Sequence, residues 1–237
     1  MILCINTATT LCSVAIGHAN VPPAGVREIT DAHAHSTALA PMVEQLMREC
    51  GISMKQLRAV AVNKGPGSYT GLRIGVSLAK GICYALSKPL LAIGSLEAMA
   101  QGVIQQRDAI WQPDNRPTLL CPMIDARRME IYTALYTDQL QPVSEVEAKV
   151  IEPGAFDQWL STHRLLFFGD GSAKCRTAID HPNATFIDGI EPSAAYMLPL
   201  AHKKLQQGNT EDVAYFEPHY LKDFVAIKGK NKVLSGL

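Results

Sequence analysis

The segment GPGSYTGLRIG, Gly65 to Gly75, follows the apolar run AVAV and opens a long stretch of helical periodicity. A glycine-rich loop between a strand and a helix is a frequent phosphate cradle, because the free amides of the helix start point at the anion. The spacing here departs from both common phosphate patterns. Counted from Gly65, the sixth position of a Walker A loop is Thr70 with no lysine after it, and in the dinucleotide fingerprint the third glycine arrives one residue late, at Gly71. Ser68 or Thr70 can instead cap the helix with its side-chain oxygen, with no ligand involved. Beyond the loop, Gly71, Gly75, Ala79 and Cys83 recur every four residues as a ridge of small side chains, beside a large ridge of Ile74, Leu78, Ile82 and Leu86. An interior helical glycine costs about 1 kcal/mol relative to alanine. The small ridge offsets that cost if another element approaches closely, either within this chain or from another subunit.

Other reactive side chains are sparse in pattern. His33 and His35 lie two apart in a polar stretch, with His35 at a helix start, and no acidic or histidine partner follows at ligand spacing. Ser68, His35 and Asp125 make a nucleophile trio on paper, but a chain of this length offers such a trio without any geometry to support it. The six cysteines show no C-x-x-C spacing, and most sit in apolar runs. Arg127 and Arg128, with Lys228, Lys230 and Lys232 in a tail expected to be mobile, are the cationic groups that could meet nucleic acid phosphate.

Positioning these groups takes a sizeable core. The 237 residues are 47% hydrophobic and carry no formal net charge, which disfavours bulk electrostatic wrapping of nucleic acid. The opening MILCINTATT has neither a basic n-region nor a cleavage site, and no apolar run is long enough to span a bilayer, so the reading is a cytoplasmic protein. MILCI and LCSVAIG read as strands joined by a turn at Thr7–Thr10, REIT as a third strand, Ser36–Cys50 as an amphipathic helix and AVAVN as a buried strand. A helix to about Ser87, the strand LLAI and a helix capped by Ser95 follow. Residues 108–117 are polar and turn-rich, a linker candidate. LLCPMIDARRMEIYTALY then repeats the plan of MILCINTATTLCSVAIG, with Asp125 in the place of Asn6. Later segments predict a strand at Val146–Ile151, a helix from Pro153, the strand LLFF, a GDGS loop, a helix over Ala173–Ile179 and a further helix in which Pro199 marks a kink or the first turn. The fold class expected is α/β with two ribonuclease-H-like domains, residues 1–107 and 108–237, facing a cleft.

With INTATTLCSVAIG, HSTALAPMV, GPGSYTGLRIG, IDAR and EPHYLKD together, nearly the whole chain resembles the bacterial TsaB (YeaZ) family of tRNA threonylcarbamoyladenosine biosynthesis proteins. The resemblance implies the ASKHA (acetate kinase, Hsp70, actin) fold. It also implies a non-catalytic role, without cofactor or metal, beside the threonylcarbamoyltransferase TsaD and the ATPase TsaE, with tRNA met only through the complex. Homodimers through the TsaD-binding face are implied as well. That face is expected on helices 36–50 and 70–86, with Leu39, Met42, Val43, Met47, Leu72, Gly75 and Leu78 as interface candidates. The transferase holds its metal through H-x-x-x-H on the helix matching residues 95–106, which here reads SLEAMAQGVIQQ. Relatives usually carry aspartate where this chain has Asn6, and asparagine lacks the charge Mg²⁺ binding uses. Asp125, Gly169 and Gly171 are the nucleotide-binding candidates the ASKHA likeness offers, with turn chemistry as the competing reading. The alternative function is an independent enzyme, an ASKHA phosphotransferase or an M22-type metallopeptidase.

Overall fold

In the computed structural model, which describes residues 1–19, 21–31, 35–111 and 116–222, apolar alternation near the N-terminus becomes a hairpin. Strand β1 (Ile2–Asn6) pairs antiparallel with β2 (Leu11–Gly17), in the register Ile2 to Gly17 through Asn6 to Ser13. β3 (Gly25–Thr30) extends the hairpin on one side, while β4 (Ala59–Gly65) and β5 (Leu90–Gly94) add in parallel on the other, giving the order β3-β2-β1-β4-β5. The second half repeats this plan. β6 (Thr118–Asp125) and β7 (Glu130–Thr133) form the hairpin, β9 (Glu147–Val150) extends it, and β10 (Arg164–Phe168) and β11 (Ala184–Ile187) add in parallel. β8 (Tyr136–Thr137) continues the hairpin along β6. Two copies of one ribonuclease-H-like sheet order make this the two-lobed α/β ASKHA fold.

Period-2 burial sorts the first sheet into two faces. Leu3, Ile5, Val14, Ile16, Val60 and Val62 meet helices α1 (His35–Glu49) and α2 (Tyr69–Leu86). Ile2, Cys4, Ala15, Ala59 and Ala61 meet α6 (Met197–Gln206), which returns from the second half of the chain to cover the opposite face. Pro199 falls in the first turn of α6, where a missing backbone donor costs nothing. A third helix, α3 (Ser95–Gln105), lies between the sheets. Its Leu96, Met99, Ala100 and Val103 share a core with Leu120, Ile124, Leu166 and Phe168 of the second lobe.

Several local expectations change. Ser95 is the first helical residue of α3 rather than its cap; Gly94 holds the N-cap position, and the Ser95 hydroxyl is buried with no hydrogen-bond partner. The helices expected near Pro153 and Ala173 shrink to one turn, α5 (Asp157–Leu160), and a 3-10 turn over Ala173–Cys175. The linker is partly helical, as α4 (Arg107–Ile110). His33, and Lys228, Lys230 and Lys232 of the tail, lie outside the described residues.

The small ridge of α2 is used inside the chain. A Cβ on Gly71 would sit 2.1 Å from the Thr7 carbonyl oxygen, and one on Gly75 would sit 2.3 Å from the Thr7 Oγ1. That hydroxyl donates to the Gly71 carbonyl at 2.7 Å, so it cannot swing aside without losing a buried hydrogen bond. Gly81, on the outer face, has none of the described residues within 4 Å of a Cβ placed there. Gly75→Ala is therefore expected to destabilise by about 1–3 kcal/mol through overpacking, whereas Gly81→Ala gains up to about 1 kcal/mol from helix propensity. Chemical denaturation of the two variants checks the opposite signs.

His202 of α6 is buried against the first sheet, its Nε2 donating to the Gly17 carbonyl at 3.3 Å. Desolvation holds its pKa below the ordinary histidine value, with His18 and the N-terminus adding to the effect. The folded state thus keeps His202 neutral while the unfolded chain titrates near 6.5. Its contribution to stability is intact above that value and is lost as pH falls through the lower folded pKa. Melting temperatures measured between pH 7.5 and 5.5 should fall less steeply for His202→Gln, which retains a donor without a titrating ring.

Candidate functional site

Both glycine loops do the same physical job in the two lobes. The first leaves β4 as Gly65-Pro66-Gly67-Ser68, and the second leaves the equivalent strand β10 as Gly169-Asp170-Gly171-Ser172. In the first, the Ser68 amide donates to the Ala8 carbonyl at 2.6 Å, and a Cβ on Gly67 would lie 2.3 Å from that same oxygen. In the second, the Gly171 amide donates to the Met123 carbonyl at 3.0 Å, and a Cβ on Gly169 would lie 2.3 Å from it. Each loop is pressed onto the end of its own hairpin, and glycine is the residue that permits the approach. Ser68 caps α2, its Oγ accepting from the Gly71 amide at 3.2 Å.

The two loops face each other across an interlobe cleft of about 520 Å³. Thr9, Ser68 and Tyr69 line one wall, Asp125, Arg127 and Asp170 the other, and His219 to Lys222 the mouth. Asp125 ends β6, in the place Asn6 holds at the end of β1. Desolvation opposes its ionisation, but the Lys174 ammonium bonded to its Oδ1, the Arg127 amide at 2.9 Å and the charges of Lys174 and Arg127 outweigh it. They leave the carboxyl below the usual carboxylate range. Asp170 goes the other way. It keeps contact with solvent in the cleft, yet desolvation by the surrounding protein, reinforced by the Asp125 and Glu191 carboxylates, pushes its carboxyl up. Its Oδ1 accepts the Asp125 amide at 3.0 Å. The wall therefore holds one firmly ionised carboxylate and one that protonates more readily, beside the guanidinium of Arg127. Among the described residues no three of His, Cys, Asp and Glu converge to bind a metal ion.

Of the nucleotide candidates, Asp125 lines the cleft, whereas Gly169 and Gly171 lie behind Asp170, packed on β6. Asp170 escaped the sequence reading; the recurrence of G-x-G-S after equivalent strands was the signal that could have found it. Ser68, His35 and Asp125 all line the cleft, Asp125 on the wall opposite Ser68. Ser68 is engaged as a helix cap and Asp125 in its turn and ion pair, so their oxygens already serve the fold.

The interface candidates are placed differently from the expectation. Leu39, Met42, Val43, Met47, Leu72 and Gly75 are all buried in this chain, and Leu78 is partly buried against the same core. Their helical faces point at the first sheet, because the apolar stripe of an amphipathic helix is satisfied by the nearest apolar layer. What α2 shows to solvent is a second small ridge, Ser77, Gly81 and Ala85, beside Tyr84, which is 84% exposed. α1 adds Thr37, Ala40, Pro41 and Glu44.

A family model described as TsaD, tRNA N6-adenosine threonylcarbamoyltransferase, matches residues 21–230. The Escherichia coli (strain K12) tRNA threonylcarbamoyladenosine biosynthesis protein TsaB is 31% identical over 234 residues, covering 96% of each chain. The Haemophilus influenzae protein of the same name is 28% identical, covering 96% of this chain and 95% of that one. The chain belongs to the TsaB family. A solved structure of YeaZ from Pseudomonas aeruginosa superposes with a TM-score of 0.76 at 24% identity, covering 92% and 99% of the two chains. Another from the same organism, described as similar to peptidase YeaZ, reaches 0.80 at 25% identity, covering 93% and 99%.

Within this TsaB-family fold, Asn6 has a structural explanation. It is wholly buried; its Nδ2 donates to the Pro192 carbonyl, and its Oδ1 accepts the Ala8 amide at 3.1 Å. An aspartate could fill the second role and not the first, since an ionised carboxylate has no hydrogen to give. Asn6→Asp should cost about 3 kcal/mol or more at pH 7 by facing a buried charge at a carbonyl. The loss should shrink in acid as the carboxyl protonates and can donate. Urea denaturation of both proteins at pH 7 and pH 4.5 checks the size and its direction with pH.

Proposed function

We propose that this protein acts in tRNA threonylcarbamoyladenosine biosynthesis as a non-catalytic subunit that docks on a TsaD-type transferase. The full-length similarity to proteins named for that pathway supports the pathway. The docking role rests on one observation, Gly81. A glycine in the middle of an 18-residue helix, exposed and with none of the described residues within 4 Å, costs about 1 kcal/mol and gains no packing from them. Close approach by a helix of another chain gives it a purpose. The docking face consists of the outer ridge Ser77–Gly81–Ala85 with Tyr84 and the exposed side of α1. A buried tyrosine ring surrounded by small residues is a common energetic centre of an interface.

In this reading residues 1–107 carry the docking helices, and residues 108–237 supply the second lobe together with α6 and the segment after it, which pack back on the first lobe. TsaE joins the pair, tRNA is met through the assembly, and a homodimer uses the same face when the transferase is absent. The protein works in the cytoplasm; no helix among the described residues is long and apolar enough to cross a membrane. The catalytic chemistry belongs to the partner. The helix that the resemblance aligns with the transferase's metal-binding helix has no histidine, and it spends Met99 and Val103 on the interlobe core. A kinase of this fold would instead bind Mg·ATP in its cleft, stabilising the protein by about 2.7 kcal/mol at 100 times the dissociation constant.

The test is threonylcarbamoylation of tRNA in vitro with the cognate transferase, TsaE and a threonylcarbamoyl-adenylate supply. The reaction should require this protein, tolerate Asp125→Asn and fail with Gly81→Arg. The Gly81→Arg protein should melt no lower than the wild type and lose at least about tenfold in affinity for the transferase. A reaction indifferent to the protein overturns the pathway, and a fully active Gly81→Arg variant overturns the docking face.

A further inference from the structure

After α6 the chain runs back over the first lobe without regular secondary structure. The Glu211 amide donates to the Leu90 carbonyl at 2.9 Å, an isolated bridge to the edge strand β5. Asp212 caps the following turn, its Oδ1 accepting the Ala214 amide at 2.7 Å. Val213 and Phe216 rest on the α1/α2 core, each partly buried. Lys80 of α2 reaches across to donate to the carbonyls of Ala214 and Phe216 at 3.1 and 3.0 Å. The His219 amide then donates to the Lys64 carbonyl at 2.6 Å, and its carbonyl oxygen lies 2.6 Å from where a Cβ on Gly65 would be. Tyr220 lies against Tyr69 at a tilt of 38° with ring centroids 4.6 Å apart, and its hydroxyl accepts from Arg73 Nε at 3.1 Å. Finally Lys222 crosses the cleft to pair with Glu130 of the second lobe, 5.9 Å from the ring of Tyr132.

This segment joins the flank of α2 and the first glycine loop, on one side of the cleft, to the second-lobe hairpin on the other. Yet no residue from Glu211 to Lys222 is buried. Its anchors are the partly buried Val213, Phe216 and Tyr220, side-chain hydrogen bonds from Lys80 and Arg73, a few backbone hydrogen bonds and a surface ion pair, the last worth little by itself. Regions built this way open at a small fraction of the global unfolding cost. The sheets beneath rest on fully buried cores and do not share that weakness.

We propose that residues 211–222 form a releasable strap. It lifts from α2 and the glycine loop as one unit while both lobes stay folded, and in doing so it opens the mouth of the interlobe cleft and frees Arg73 and Lys80 on the flank of α2. The strap behaves as a unit because Lys80 and the Arg73–Tyr220–Tyr69 stack grip it from the same helix. The proposal does not depend on which partner docks on that helix.

Native-state hydrogen exchange followed by NMR on the full-length protein tests it. The amides of Glu211, Phe216 and His219 are expected to exchange with one shared opening equilibrium, at least about tenfold less protected than Val60 and Val62 of β4. Lys80→Met removes two charge-assisted hydrogen bonds and should speed exchange at all three sites by at least about tenfold, leaving β4 unchanged. Glu130→Gln, in the other lobe, should speed the same three sites by about two- to fivefold. Strap amides as protected as β4, or acceleration by Lys80→Met confined to Phe216, overturns the strap as a unit. No response to Glu130→Gln overturns its link across the cleft.

Discussion

Two sheets of the same topology share an apolar core through the helix α3. α3 leaves the first sheet at Gly94 and lays Leu96, Met99, Ala100 and Val103 against the apolar face of β6 and β10. Everything in the cleft depends on that wedge, because it fixes how far the β1–β2 turn stands from the end of β6. Gly102 lets the Tyr196 ring lie on the helix, with ring carbons within 2.8 Å of where a Cβ would be, and Gly169 likewise admits the end of Met99. Apolar contact of this kind is non-directional, so its precision comes from packing density and from glycines that remove obstacles. Met99 and Val103 of α3 are both consumed by this core.

The glycines divide by what lies above them. On α2 the ridge of Gly71 and Gly75 is pressed against Thr7, while Gly81 on the opposite side meets none of the described residues. The first set is explained by packing inside the chain; the second is a helical defect that no described residue compensates. The loops after β4 and β10 follow the first rule in both lobes, with Gly67 on Ala8 and Gly169 on Met123. A glycine-rich loop after these strands is a packing device repeated by internal symmetry, and the cleft it borders is a consequence. The charged groups of that cleft are unequal because the symmetry is broken at one matched position. Asn6 is buried under Pro192, and Asp125 faces solvent beside Lys174.

Much of this was legible in the linear chain. Strand and helix periods located β1 to β5, α1 and α2 to within a residue or two, since apolar spacing is a local property that survives folding. The repeated hairpin gave the two-lobed architecture, and the segments quoted above gave the family. The residues of the second lobe were less legible where helices were short. α5 is a single turn, below the length at which periodicity can be distinguished from chance. Spacing established that α2 has two small ridges and that α1 has an apolar stripe. It could not say which of them points inward, because a periodicity fixes relative angles around a helix and not the direction of the sheet. Only the tertiary structure decided that Leu39, Met42, Val43, Met47, Leu72 and Gly75 face the core and that Gly81 and Tyr84 face outward. It alone brought Asp125 and Asp170, 45 residues apart in sequence, into hydrogen-bond contact. It also carried the last described residues back across the molecule to the cleft they border. Those are long-range juxtapositions, set by which surfaces bury one another, and no local pattern encodes them.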